Sequence, residues 1–132
     1  MIALDTSVLA RYILNDNPAE SLVAERLISE NACSVSWSVL IELCWVLESK
    51  ARLPRSEIAR SMIALVESDF LSVPDDILVA WAIERYASGA DFADMIHLAS
   101  TLNGAIEFAC FDRKLARQAG SQTPITVRTL RA

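Results

Sequence analysis

The sequence is short of the residues from which soft-metal sites and crosslinked folds are built. It has one histidine, His97, and three cysteines in 132 residues. A histidine-rich zinc site is therefore excluded. An all-oxygen site for a hard cation is the metal chemistry that remains. Cys33, Cys44 and Cys110 are odd in number and irregular in spacing, so they form neither a disulfide framework nor a CxxC pattern. They are expected as free thiols in or near the core. Only three glycines and four prolines stand against 53% hydrophobic residues, which excludes a disordered chain. No apolar run approaches the roughly 20 residues that a membrane span needs. A basic leader followed by an apolar stretch and a cleavage site is missing too, so a cytoplasmic protein is expected. Basic residues are outnumbered 12 to 17, for a formal charge of −5. That balance suits a divalent cation or a basic protein partner better than unaided binding of nucleic acid.

What is present is an alternation of short apolar runs and helical patterns. Residues 1–5 read as a short buried strand that ends in Asp5, with Thr6 or Ser7 free to cap a helix over 6–14. Asn15-Asp16-Asn17-Pro18 breaks that helix, and residues 19–30 are amphipathic. A strand is expected at 32–36. An almost wholly apolar helix follows at 38–50, capped by Ser36 or Ser38 and interrupted by the single acid Glu42. Further helices are expected at 55–68, from Asp75 or Asp76 to about 87, at 91–103 and at 113–119. Strands are expected at 70–73, 105–111 and 125–127. Strands that alternate with helices imply an α/β fold, a central parallel sheet covered on both faces. No repeat, linker or low-complexity segment interrupts the pattern, so residues 1–132 are expected to be one domain.

Four acids sit in apolar surroundings. Asp5 ends the first strand, Glu42 interrupts its helix, Asp94 lies in Phe92-Ala93-Asp94-Met95-Ile96, and Asp112 ends Ile106–Phe111. An unpaired charged carboxylate in such a place costs several kcal/mol. Taken singly, Asp5 and Asp112 read as helix caps. Glu42 reads evenly as a bonded buried acid or a functional one, and Asp94 as a partner for an arginine. Together they point to one shared site beyond the carboxyl ends of the strands, where open α/β sheets bind ligands. Converging carboxylates bind Mg²⁺ or Mn²⁺. Such a metal activates water and offsets charge on a phosphoryl transition state. Asp91 shares a helix face with Asp94 but is explained equally by capping. His97 is expected to be a hydrogen-bonded histidine on a partly buried helix. Trp37, Trp45 and Trp81 are expected to be core or interface anchors. Arg113, Lys114 and Arg117 form a basic patch beside Asp112, expected as a solvated face yet placed for a substrate phosphate. Arg11 and Lys50 are weaker candidates for that role.

The ordered set Asp5-Thr6-Ser7-Val8-Leu9, Glu42, Gly89 to His97 and Phe111-Asp112-Arg113-Lys114-Leu115 resembles a PIN domain. More narrowly, it resembles the VapC-type toxins of toxin–antitoxin pairs. Each motif is weak alone; the order and spacing match over essentially the whole chain. The resemblance implies a three-layer α/β/α sandwich and a Mg²⁺- or Mn²⁺-dependent endoribonuclease. It also implies a homodimer, and a cognate antitoxin through which alone DNA is contacted. Carried over by motif, Asp5, Glu42, Asp94 and Asp112 are the catalytic, metal-holding acids. Ser7 stands where the family usually has Asn, Ser or Thr near the metal. Cys110 stands where Thr or Ser is common, which weakens a hydrogen bond to the site. Asp91 occurs in some members outside the quartet.

On this reading the substrate is RNA, since an acidic protein has little surface to track a duplex. The antitoxin is expected to present a basic side chain to the acids. Two rivals differ in class. One is a catalytically weak PIN-like interaction module that acts through an antitoxin–DNA complex. The other is a haloacid-dehalogenase-like phosphatase, which needs a second Asp two residues after the first, where Ser7 stands.

Overall fold

A computed structural model describes residues 1–132. The chain divides into two compact units, Met1–Asp76 and Ile77–Ala132.

The first unit begins with β1 (Ile2–Ala3), α1 (Thr6–Leu14) and α2 (Pro18–Glu30). It continues with β2 (Cys33–Ser34), α3 (Trp37–Ser49), α4 (Arg55–Glu67) and β3 (Leu71–Ser72). Local chemistry sets each boundary. Asp5 caps α1 and Asn15 ends it in the left-handed conformation. Asn17 caps α2, with Pro18 at its first position, where the missing N–H is not needed. Ser36, rather than Ser38, caps α3 through its Oγ and the Val39 N–H. The three strands pair in parallel in the order β1-β2-β3. Ladder bonds from Leu4 N to Ser34 O and from Val35 N to Ser72 O extend the pairing past the strand ends. Leu9, Leu40, Leu43, Leu47, Ile58 and Met62 are fully buried.

Two expectations need correction here. The opening strand is not buried: Met1, Ile2 and Ala3 are exposed and only Leu4 is covered. It is two residues long and lies at an edge of its three-stranded sheet. Nor is α3 buried all round. Leu40, Leu43, Cys44 and Leu47 form its inner face, while Ser38, Glu42, Trp45 and Ser49 form an exposed stripe. Trp45 is 57% exposed, with the Lys50 ammonium 5.7 Å from its ring centroid. Trp37 is half-buried and donates its indole N–H to the Pro74 carbonyl at 2.7 Å.

The second unit runs α5 (Asp76–Ala87), α6 (Phe92–Ser100), β4 (Glu107–Cys110), α7 (Leu115–Ala119) and β5 (Thr126–Thr129), with α5 beginning one residue earlier, at the unit boundary. β4 and β5 pair in parallel, with Cys110 opposite Thr129. The Leu130 N–H carries the ladder one bond further, to Cys110 O at 2.7 Å. Val79, Ile83, Met95 and Leu98 are fully buried, and Tyr86 meets Phe92 edge to face. Gly120 ends α7 at φ +79°, and a Cβ there would lie 3.0 Å from the Arg85 guanidinium carbon. That guanidinium donates to Gln118 O at 2.7 Å.

Helices and parallel strands alternate as expected, and the fold is of the α/β sandwich class. Its strands group as a three-stranded and a two-stranded parallel sheet. Cys33, Cys44 and Cys110 form no disulfide, and the first two are buried. No helix is long and apolar enough to cross a membrane.

Candidate active site

In the first unit the strands β1, β2 and β3 end on a cavity of about 350 Å³. Asp5, Ser34, Ser36 and Ser72 supply its polar lining. Parallel strands leave such a concavity at their carboxyl ends, where the chain turns away into the next helix. Asp5 is both the last residue before α1 and that helix's cap. Its Oδ2 accepts from the Ser7 hydroxyl at 2.6 Å and from the Ser7 N–H at 3.2 Å. The Ser7 hydroxyl, then the Ser7 N–H, holds the Asp5 carboxyl below its ordinary value of 3.8. Asp5 is thus an ionised carboxylate held in one orientation, and Ser7 is the residue that holds it. Arg11 is committed elsewhere, to Asp16 at 2.6 Å and Glu20 at 3.0 Å, and is no free phosphate ligand.

Glu42 lies on the exposed stripe of α3 and is not among the residues lining that cavity. Its expected apolar surroundings are corrected: a period near 3.6 places it with Ser38, Trp45 and Ser49, away from the buried leucines. Asp5 and Asp112 are exposed as well, so of the four acids only Asp94 is half-buried.

In the second unit Asp94 is half-buried on the first turn of α6. Burial, then the neighbouring charge of Asp91, raises its carboxyl above the ordinary 3.8; His97 opposes the shift and Asp112 adds to it. Asp91 and Asp112 are therefore both within electrostatic reach of Asp94. Asp91 caps α6, accepting from the Asp94 N–H at 2.9 Å, so it positions the helix that carries Asp94. Asp112 follows β4, and its Oδ1 accepts from the Lys114 N–H at 2.9 Å. The Cys110 thiol points at the Asp112 carbonyl, 3.5 Å away, and not at its carboxylate. His97 is exposed, which corrects the expectation of a partly buried, bonded imidazole: it faces outward between the buried Ile96 and Leu98. Arg113, Lys114 and Arg117 are exposed, as expected of a solvated face.

The donor chemistry suits Mg²⁺ or Mn²⁺. Asp5, Glu42, Asp94 and Asp112 offer only carboxylate oxygens, and none of them is in an ion pair. A cation would relieve the mutual repulsion that raises Asp94. The side chains are not drawn together, however: no three of the His, Cys, Asp and Glu residues form a group that could hold a metal ion. Sequence reasoning missed Ser34 and Ser72 in the Asp5 cavity and read Ser36 only as a cap. The available signal was a serine at or just after the ends of the second and third strands.

No curated protein and no solved structure matches the chain. The family model described as PIN domain matches residues 2–121, and so takes in Asp5, Glu42, Asp94 and Asp112. With a nuclease-type fold and a match over most of its length, the chain belongs to the PIN domain family.

Proposed function

We propose that the protein is a Mg²⁺- or Mn²⁺-dependent endoribonuclease, the toxin of a type II toxin–antitoxin pair, acting from a single domain over residues 1–132. Asp5, Glu42, Asp94 and Asp112 are the residues that would hold the metal. The observation that carries this reading is Asp5, an ionised carboxylate fixed by Ser7 at the mouth of a strand-end cavity in a PIN fold. When bound, the metal supplies positive charge that polarises a phosphodiester and lowers the pKa of water. The chain supplies the rest. Ser7 keeps Asp5 deprotonated and oriented. Asp91 fixes the first turn of α6, and with it Asp94. The Lys114 N–H holds the Asp112 carboxylate beside β4. Burial, then the charge of Asp91, raises the affinity of Asp94 for a proton, which suits it to a part in proton transfer.

The partners belong to the same proposal: a cognate antitoxin, a second copy of this chain, and DNA only through the antitoxin. Supporting a protein partner is an apolar groove of about 340 Å³ lined by Val8, Ala19, Val23, Ala24 and Leu27 of α1 and α2. Val23 is 69% exposed beside it. The expected compartment is the cytoplasm.

The test is incubation of purified protein with single-stranded RNA in Mg²⁺ or Mn²⁺, against chelator and against Asp5→Asn. Cleavage that needs the metal and is lost in the variant supports the assignment. Metal-dependent cleavage that survives Asp5→Asn removes Asp5 from the site. A wild type that never cuts RNA favours the interaction module.

A further inference from the structure

The second unit has a cavity of its own at the carboxyl ends of its parallel strands, about 650 Å³ in volume. Arg113, Thr129 and Arg131 supply its polar side chains. The register explains why these residues meet. Cys110 lies opposite Thr129, so the chain leaves β4 toward Arg113 as it leaves β5 toward Arg131. Alternation along β5 turns Thr129 away from Arg128, and Arg131 follows two residues after the strand and shares the cavity with Thr129. Arg128 lies 3.7 Å from Glu107 in an ion pair. Arg113 and Arg131 form no ion pair and no side-chain hydrogen bond. Two unspent guanidinium groups and a hydroxyl thus face one concave space in a chain of net charge −5.

We propose that Arg113, Thr129 and Arg131 form a cradle for a backbone phosphate of single-stranded RNA. This inference rests on the ribonuclease reading and adds to it a substrate-holding site. The chemistry is that of a phosphodiester. A guanidinium presents paired N–H donors that match two phosphate oxygens, and a second guanidinium with a hydroxyl completes the anion's coordination. A single strand suits the place better than a duplex, because two arginines in a cavity grip one phosphate and do not track a regular backbone. Arg113 directly follows Asp112, so a strand held in the cradle passes beside a carboxylate of the proposed metal site.

The experiment measures the affinity of the full chain for a fluorescent single-stranded RNA of mixed sequence, in chelator, across a salt series. Truncation is expected to leave the fold intact, because both arginines are exposed and unpaired. Arg113→Ala and Arg131→Ala should each weaken binding several-fold and flatten the slope of log Kd against log salt by about 0.7. Arg131→Lys, which keeps the charge without the paired donors, should fall between wild type and Arg131→Ala. Arg128→Ala should leave the slope unmoved. Unchanged affinity and slope in both alanine variants would overturn the cradle while leaving the ribonuclease reading to its own cleavage test. An equal loss in Arg128→Ala overturns it in favour of diffuse attraction. A wild type that cuts RNA yet binds none through these arginines overturns it as well. Uptake of inorganic phosphate with RNA affinity unmoved reassigns the cavity to a small anion. Uptake of an acidic peptide instead reassigns it to a protein partner.

Discussion

The polar side chains of the cavity beyond β1–β3 are an acid and serines, whereas those of the cavity beyond β4 and β5 are arginines and a threonine. Both arise in the same way. Parallel strands stop, their chains turn outward, and a concavity remains at the carboxyl edge. The backbone therefore supplies the hollow, and the one to three residues after each strand decide its charge. The charged group in the first cavity is Asp5, held by Ser7, and those in the second are Arg113 and Arg131. On the proposed reading, a protein of net charge −5 would in this way hold both a metal and a phosphate without a basic surface.

The largest expected effect sharpens the acidic side of that contrast. Asp5→Asn, in the first unit, and Asp94→Asn, in the second, should each lower metal-dependent RNA cleavage by about 100- to 1,000-fold, read from initial rates. A large loss for one and none for the other would confine the chemistry to one unit.

Gly120→Ala probes the framework of the basic cavity's unit. At φ +79° and ψ −176° the position is nearly closed to other residues, so the change should cost about 1–3 kcal/mol. Thermal or denaturant unfolding measures it. A stability within error of wild type would show that the loop re-forms and that Arg85 moves aside freely.

Ser36→Ala removes the cap of α3 at the wall of the acidic cavity, and should cost about 1 kcal/mol in the same assay. Loss of cleavage beyond what that destabilisation explains would give Ser36 a part in the site as well.

The smallest effect has the opposite sign. The folded state holds the Asp94 proton more tightly than the unfolded chain does, since the carboxyl is raised above 3.8. Its contribution to stability is therefore fully present below that ordinary value and is lost as pH rises through the folded pKa. At neutral pH without metal, Asp94→Asn should stabilise the fold by about 0.2–0.5 kcal/mol, the scale of one relieved like-charge pair. Below pH 3 the two proteins should converge. A variant less stable than wild type at pH 7 would mean that Asp94 has a partner other than its acidic neighbours.

How much of this was legible in the sequence differs between the two edges. Helix starts were partly readable because capping is local: Ser36 and Asp91 announce themselves within four residues, whereas Asp5 caps α1 in place of the expected Thr6 or Ser7, and the Asn17 cap went unread. The alternation of elements, the lack of a disulfide and the terminating Gly120 followed from composition and turn chemistry in the same way. Burial was not readable. An apolar run of four residues looks the same in a covered strand and in an edge strand, so β1 was expected inside and lies exposed. Glu42 misled for a related reason. Its neighbours in sequence are apolar, but its neighbours on the helix surface are Ser38, Trp45 and Ser49. Arg131 was overlooked because it lies past the last strand, and only the pairing of Cys110 with Thr129 brings its segment beside Arg113.

Binding of Mn²⁺ in the absence of RNA, followed by the loss of its free-ion paramagnetic resonance signal, tests most directly whether the acids hold a metal. Wild type should bind the ion, and Asp5→Asn and Asp94→Asn should each weaken it by about tenfold or more. Binding that is equally tight in all three proteins would contradict the assignment.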